Sequence, residues 1–207
     1  MNVELRTQPV GAYKMNAYVL VCPTTRQSVL IDPGDEPDLL IAMLHDSKPS
    51  AIIVTHSHPD HVGALAEMKS RLQVPVMFHR GPHYEGFAME ADRWLGNGDV
   101  VPLGEHVLRI FYAPGHTADQ ICIAIENNPR VMVGDTIFDG GPGATASAEN
   151  FRTTLDTLEN VILRWSDDAV CYPGHGASFR LGDHRAEIEA FVRQDHGEFF
   201  GDATWGM

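Results

Sequence analysis

Residues 56–61 read His56-Ser57-His58-Pro59-Asp60-His61, three imidazoles and a carboxylate in six positions, directly after the apolar run Ala51-Ile52-Ile53-Val54. Neutral imidazole and ionised carboxylate are standard ligands of zinc and similar divalent ions, and crowding them together is costly unless a cation or hydrogen bonds compensate. An isolated histidine pair in a polar loop can be solvated and inert, but four such groups this close are better explained by a metal. Weaker versions of the pattern recur. Ile110-Phe111-Tyr112 leads to Pro114-Gly115-His116, Val131-Met132-Val133 to Gly134-Asp135, and Ala169-Val170-Cys171-Tyr172 to Pro173-Gly174-His175. Each is an apolar run, a glycine and then a candidate ligand. Glycine lets the backbone turn sharply, and in α/β proteins ligands collect beyond the carboxyl ends of strands. Taken singly, His116 and His175 read as surface or capping histidines and Asp135 as a turn residue or helix cap. The coincidence of four strand ends is what points to one metal site.

The elements that must hold these residues follow from periodicity. Residues 15–22 and 28–31 read as strands, the second closing on Asp32-Pro33-Gly34, and Leu40, Met43 and Leu44 place a helix starting near Pro37. A strand over 51–55, a helix from His61 with Leu65, Met68 and Leu72 on one face, and a strand over 74–78 come next. Residues 81–103 mix Gly, Asn, Asp and aromatics without a period and are expected to form a loop-rich insertion. Strands follow over 107–112, 121–125 and 131–133, with Asn127-Asn128-Pro129 turning between the last two. Phe151, Leu155, Leu158 and Ile162 line one helical face, residues 169–172 form a short strand, and Ile188, Phe191 and Val192 mark a last helix. The expected architecture is α/β, sheets inside and helices outside, in one domain over 1–207.

Composition narrows the function classes. The 207 residues are 43% hydrophobic and 21% charged, the mixture of a soluble globular domain with a full-sized core. A formal charge of −13 opposes binding to a phosphate backbone, so no nucleic-acid partner is expected. The longest apolar runs fall far short of the ~20 residues that span a bilayer, and no membrane segment is expected. Residues 1–6 show no basic-then-apolar leader. Cys22, Cys122 and Cys171 are odd in number and far apart, which fits a reducing compartment, and the expected location is the cytoplasm.

In this order, the His-x-His-x-Asp-His run, Gly115-His116-Thr117, Gly134-Asp135 and Pro173-Gly174-His175-Gly176 resemble the metallo-β-lactamase superfamily, over almost the whole chain from residue 31 to residue 176. The resemblance implies a four-layer αββα sandwich with a dinuclear site in the cleft between its sheets. It makes His56, His58 and His116 the ligands of one ion, Asp60, His61 and His175 those of the other, and Asp135 the bridge. Asp32 would be a structural partner that orients the ligand loop. Two divalent ions are implied, zinc first, with iron or manganese as alternatives. The implied reaction is hydrolysis by a metal-bridging hydroxide, with Asp60 orienting it or passing its proton. Cys171 reads as a buried structural residue, and Ser57 has no free base to activate it.

Within the superfamily, Asp135 argues against a typical β-lactamase, which lacks that carboxylate, and the charge of −13 argues against the ribonuclease members. Gly115-His116-Thr117 and Gly134-Asp135-Thr136-Ile137-Phe138 are similar to the glyoxalase II group, which implies a small-molecule thioester or related acyl substrate. Two departures stand out. Ala144 follows Gly141-Pro142-Gly143 where that group continues with arginine, and too few residues follow His175 for the helical domain that supplies glutathione contacts. The alternative enzyme is a persulfide dioxygenase with one iron on His56, His116 and Asp135. The alternative class is a non-catalytic metal-binding module, whose mark would be a lost ligand. Substrate recognition is expected from loops around the cleft, with Tyr84, Phe87 and Trp94 as candidates. The aromatic tail over 199–205 is expected either to assist or to make a homo-oligomer contact, and His79 and His83 are expected at the surface.

Overall fold

The first half of the chain builds one six-stranded sheet. In a computed structural model that describes residues 2–207, its strands are β1 (Glu4–Val10), β2 (Met15–Val21), β3 (Gln27–Ile31), β4 (Lys48–Ile53), β5 (Val76–His79) and β6 (Arg93–Leu95), hydrogen-bonded in that order. β1, β2 and β3 pair antiparallel, whereas β3 to β6 run parallel. Parallel neighbours need crossovers; helix α1 (Pro37–Met43) joins β3 to β4, helices α2 (Pro59–Val62) and α3 (Leu65–Leu72) join β4 to β5, and a helix-free segment over 80–92 joins β5 to β6. Proline at the first turn of α1 and of α2 presets the backbone dihedral there without forfeiting an intrahelical hydrogen bond.

The second sheet has the order β14-β13-β10-β9-β8-β7, from strands β7 (Val100–Leu103), β8 (His106–Tyr112), β9 (Ile121–Ile125), β10 (Arg130–Gly134), β13 (Val170–Pro173) and β14 (Phe179–Arg180). A two-stranded hairpin, β11 (Ile137–Phe138) and β12 (Gly141–Pro142), follows β10. Helices α4 (Ala148–Asn160) and α5 (Leu181–Arg193) cover the sheet, α4 starting at Ser147, whose hydroxyl accepts from the Asn150 N–H.

Alternation of side chains sorts the core into three layers. Leu20, Ile31 and Ile53 meet Ile110, Ile123 and Met132 between the sheets. Val19, Leu30 and Ile52, one position off, pack with Leu40, Leu65 and Met68 of the first helical layer. Cys122, Val133 and Cys171 pack with Phe151, Leu158 and Phe191 of the second. The layers are therefore αββα. Truncating a fully buried aliphatic such as Ile123 to alanine would cost about 2–5 kcal/mol. All three cysteines are free and buried, and burial raises the thiol pKa of Cys122 to about 12 and that of Cys171 further still, so neither thiol is a nucleophile at neutral pH.

Several elements depart from the sequence expectation. The segment 81–103 is not all loop: β6 adds to the first sheet and β7 to the edge of the second, so this stretch carries the chain between sheets. Pro102 is tolerated in β7 because an edge strand leaves one side without a ladder partner. β1, the β11–β12 hairpin and β14 are unheralded, being polar or very short. The helix expected from His61 is broken into α2 and α3, and Ile162 lies in a separate 3-10 turn beyond α4. Among the described residues no helix is long and apolar enough to cross a membrane.

Candidate metal centre

Strands β3, β4, β8, β10 and β13 all point their carboxyl ends at one edge of the sandwich. Asp32 follows β3 directly and the ligand loop follows β4, while His116, Asp135 and His175 leave β8, β10 and β13. The loop is held by Asp32, buried and in the left-handed region at φ 53°. Its carboxylate accepts from the Thr55 N–H (2.7 Å), the Thr55 hydroxyl (2.7 Å) and His61 Nδ1–H (2.9 Å). From the opposite sheet, buried Asp119 accepts the Ser57 N–H at 2.9 Å.

Four histidines have an acceptor on Nδ1: His56 the Thr55 hydroxyl oxygen (3.1 Å), His61 Asp32, His116 the Ala144 carbonyl (2.7 Å) and His175 the Tyr13 carbonyl (3.2 Å). A proton fixed on Nδ1 leaves Nε2 with its lone pair toward the centre, the outer-shell arrangement that orients metal-binding imidazoles. His58 faces them the other way round, its Nδ1 lying 3.2 Å from His56 Nε2 and 3.0 Å from His116 Nε2. Asp60 Oδ2 is 3.1 Å from His175 Nε2. Asp135 lies among the rest: Oδ1 is 3.4 Å from His61 Nε2, and Oδ2 is 3.6 Å from His175 Nε2 and 3.7 Å from His116 Nε2.

Three triads have mutually close donor atoms: His56, His58 and His116; His56, His61 and Asp135; and Asp60, His61 and His175. This donor set fits divalent cations. Nitrogens and carboxylate oxygens converge, and the buried atoms His61 Nε2 and Asp135 Oδ1 have no hydrogen-bond partner in the protein. The space is also kept open, since a Cβ at Gly174 would collide with Asp135 Oδ1 and the His61 ring. At Gly134, with φ +50°, a Cβ would strike Thr55 and Gln120.

Electrostatics at His56 and His58 favour the same reading. Burial and the neighbouring imidazoles hold His56 well below the ordinary histidine range, and burial with His116 brings His58 down to about 4, so both imidazoles are neutral at pH 7, the form a metal binds. The hydrogen bond with His175 lowers Asp60 to about 2. Burial opposes charge on His61, but Asp32 and Asp135 outweigh it and raise its pKa to about 10. Burial likewise opposes charge on Asp135, and His61 with the other imidazoles nevertheless lowers its pKa.

His56, His61 and Asp135 form a buried floor, and the half-buried His58, Asp60, His116 and His175 form the rim. Above it opens a cleft of about 460 Å³ lined by Tyr13, His58, Pro59, Asp60, Tyr84 and His175. Of the three aromatics expected to recognise substrate, Tyr84 alone lines this cleft, its ring edge-on to His58. Phe87 and Trp94 instead pack edge-on against Phe78 on the helical side of the first sheet. His83 joins that aromatic cluster and His79 stacks on Tyr112, so neither is a plain surface residue. The tail turns away from the cleft, burying Ala203 and Trp205 against the second helical layer. Ser57 is occupied, its oxygen accepting the Tyr84 N–H at 2.7 Å. Sequence reasoning missed Thr55, Asp119 and the carbonyls of Tyr13 and Ala144. A buried polar residue beside a ligand, as Thr55 is, was the one available signal.

An αββα sandwich with His and Asp side chains able to bind metal at the strand ends of its cleft is the arrangement of a metallo-hydrolase. The chain belongs to the metallo-beta-lactamase superfamily, whose family profile matches residues 11–175. It is 27% identical to hydroxyacylglutathione hydrolase GloC of Haemophilus influenzae, covering 89% of this chain and 95% of that one. It is 31% identical to a hydroxyacylglutathione hydrolase of Rhodopseudomonas palustris, covering 86% and 71%. Among solved structures, the BLEG-1 B3 metallo-beta-lactamase superposes with TM-score 0.79 at 26% identity over 88% of this chain and 97% of its own. ETHE1 from Myxococcus xanthus superposes with TM-score 0.76 at 26% identity over 88% and 81%.

Proposed function

We propose that this protein is a dinuclear metal-dependent hydrolase of a small thioester or related acyl substrate. The observation that carries the proposal is the convergence of seven side chains able to bind a metal, four of them histidines with Nδ1 tied to a separate acceptor. His56, His58 and His116 would hold one ion, Asp60, His61 and His175 the other, and Asp135 both. When bound, such ions supply Lewis acidity that polarises an acyl carbonyl and lowers the pKa of water toward neutrality.

The chain's own groups do the rest. Asp60, half-buried at the rim of the cleft, would orient the attacking water through the carboxylate oxygen it does not turn to His175. Asp32, acting through His61, and the Ala144 carbonyl, acting through His116, hold the imidazoles in one orientation during turnover. Tyr13 and Tyr84 form walls that position the acyl group and exclude bulk water. Neither Ser57 nor Cys171 offers a competing nucleophile, because one is hydrogen-bonded to a loop backbone and the other is buried with its thiol protonated. Zinc suits this nitrogen and oxygen donor set, and a cytoplasmic location agrees with three free buried cysteines.

The test is metal analysis of protein purified without added metal, followed by thiol release from a thioester panel. Two ions per chain, with activity lost on chelation and restored by metal, is the expected result. One tight ion that supplementation leaves unchanged would reject the dinuclear reading. The likeness to ETHE1 makes an oxygen electrode part of the experiment. Iron-dependent oxygen uptake with a persulfide would replace hydrolysis by the dioxygenase reading.

A further inference from the structure

The cleft does not end at the ligands. A second compartment of about 310 Å³ adjoins it, sharing Tyr13, Pro59 and Asp60, and runs beneath the turn between β1 and β2. Its far end is lined by Gly11, Ala12, Gly34 and Asp35. The small residues are structurally required, since a Cβ at Gly34 would overlap the Asp60 backbone. The compartment is thus built into the same turns that carry Asp60, and it continues the reaction cleft for a substrate longer than its acyl group.

The chemistry of this extension is one-sided. Asp35 lines it, with Oδ1 accepting the Glu36 N–H at 2.7 Å, and Glu36 Oε2 accepts the Gly11 N–H at 3.2 Å on the same turn. Among the described residues, neither compartment is lined by lysine or arginine. Tyr13, 76% exposed, stands at the junction with its ring available to a passing group. With Asp60 committed to the ion site, the Tyr13 ring and the Asp35 carboxylate are what a tail in the extension meets, and they attract a cation or a neutral hydrogen-bond donor and repel a carboxylate. The overall charge of −13 acts in the same direction.

We propose that the groove from Tyr13 to Asp35 receives the leaving thiol of the substrate, and that this thiol carries a cationic or neutral tail rather than an anionic one such as glutathione. The inference rests on the hydrolase reading for its assignment to a thiol, but its charge preference can be measured without turnover. Thiols differ as leaving groups, so the readout is the Kd of their S-ethyl thioethers for the metal-loaded protein. S-Ethylthiocholine carries one positive charge, S-ethyl-N-acetylcysteamine none, and S-ethylmercaptopropionate and S-ethylglutathione one net negative charge each. The expected order of affinity is cation, then neutral, then both anions, with about tenfold between cation and anions at low salt, shrinking as salt is raised. Asp35→Asn is expected to remove most of that ratio, and Tyr13→Ala part of it.

Anionic thioethers binding as tightly as S-ethylthiocholine, or tighter, would overturn the proposal, and so would a ratio unmoved by Asp35→Asn. The acetyl thioesters of the same four thiols are then assayed for thiol release. If none turns over while the cation preference and its loss in Asp35→Asn persist, the groove's specificity stands and the thioesterase reading falls. If thioesters turn over without the charge order, the reverse holds.

Discussion

The two halves of the metal centre are built in opposite ways. The first half places three histidines and an aspartate on one loop after β4, and the buried Asp32 carboxylate holds both Thr55 and His61 of that loop, with Asp119 adding one bond to Ser57. The second half contributes one ligand from each of three strand ends, and the supports of its histidines are far away in the chain. His116 leans on the carbonyl of Ala144 and His175 on that of Tyr13 in the other half. The Ala144 segment is in turn held by the tail: Thr145 N–H donates to the Gly201 carbonyl at 3.2 Å, and Trp205 Nε1–H donates to the Asp139 carbonyl at 3.0 Å. A clustered site can be secured largely by one side chain, whereas a dispersed site depends on backbone acceptors that only the packed fold brings into place. The first is therefore sensitive to substitution at one point, and the second to the integrity of a layer.

The largest test of this contrast compares ligands. Asp135 is near donors of both proposed ion sites while His61 belongs to the clustered half, so Asp135→Ala is expected to lower metal content and activity more than His61→Ala does. The Asp135→Ala loss is expected to exceed the ~10–100-fold typical of an outer partner. Equal metal content and equal residual activity in the two variants would contradict the assignment of Asp135 as the shared ligand. Next in size is Asp32→Ala, which removes the anchor of the clustered loop. Metal affinity is expected to fall ~10–100-fold with every ligand still present. Competition against a chromogenic chelator measures it.

The dispersed half should respond to a residue that touches no ligand. Trp205 is 6% exposed, and Trp205→Ala is expected to cost about 3 kcal/mol of stability, read by denaturant unfolding. Metal affinity should fall by a smaller factor than in Asp32→Ala, because the effect on His116 passes through Ala144. Trp205→Phe should recover most of the packing but not the hydrogen bond to Asp139. If Trp205→Ala lowers stability and leaves metal affinity untouched, the tail is a packing element with no role in orienting His116.

The smallest effect is electrostatic. His184 on α5 donates to Glu187 and Asp139, each at 2.9 Å, and these carboxylates, Glu187 first, raise its pKa above 6.5. A pKa higher in the folded than in the unfolded state stabilises the fold below the unfolded value and ceases to do so as pH rises through the folded one. Both carboxylates are well exposed, so His184→Ala is expected to cost under about 1 kcal/mol near pH 5.5 and nothing near pH 9. A cost that grows with pH would show that His184 supports Asp139 by some other means.

The two halves also differed in how legible they were. The run from His56 to His61 announced itself because ligands at neighbouring positions of one loop are necessarily close. His116, Asp135 and His175 became legible only as repeats of a strand-glycine-ligand pattern and through the family resemblance. Long apolar strands such as β2 and β9 were read correctly, since a nearly continuous apolar run bounded by turn residues is a strong local signal of a strand buried on both faces. β1, the short hairpin and the strands within 81–103 were not, because an edge or three-residue strand is stabilised by its neighbours rather than by its own pattern. The aromatics of that segment show the same limit. Tyr84, Phe87 and Trp94 look alike in sequence, yet one faces the cleft and two pack on Phe78.

By itself, the sequence determined the inventory of candidate ligands, the glycines that precede the dispersed ones, and the α/β class, because these depend on residue type and on spacing within a few positions. Only the tertiary structure decided that Tyr13 and Ala144 would supply the carbonyls behind His175 and His116, that Asp119 would tie the ligand loop to the opposite sheet, and that the cleft would extend toward Asp35. Those partners come from segments 28 to 162 residues apart, joined by sheet register and by packing between layers, and no local period encodes which of them will meet.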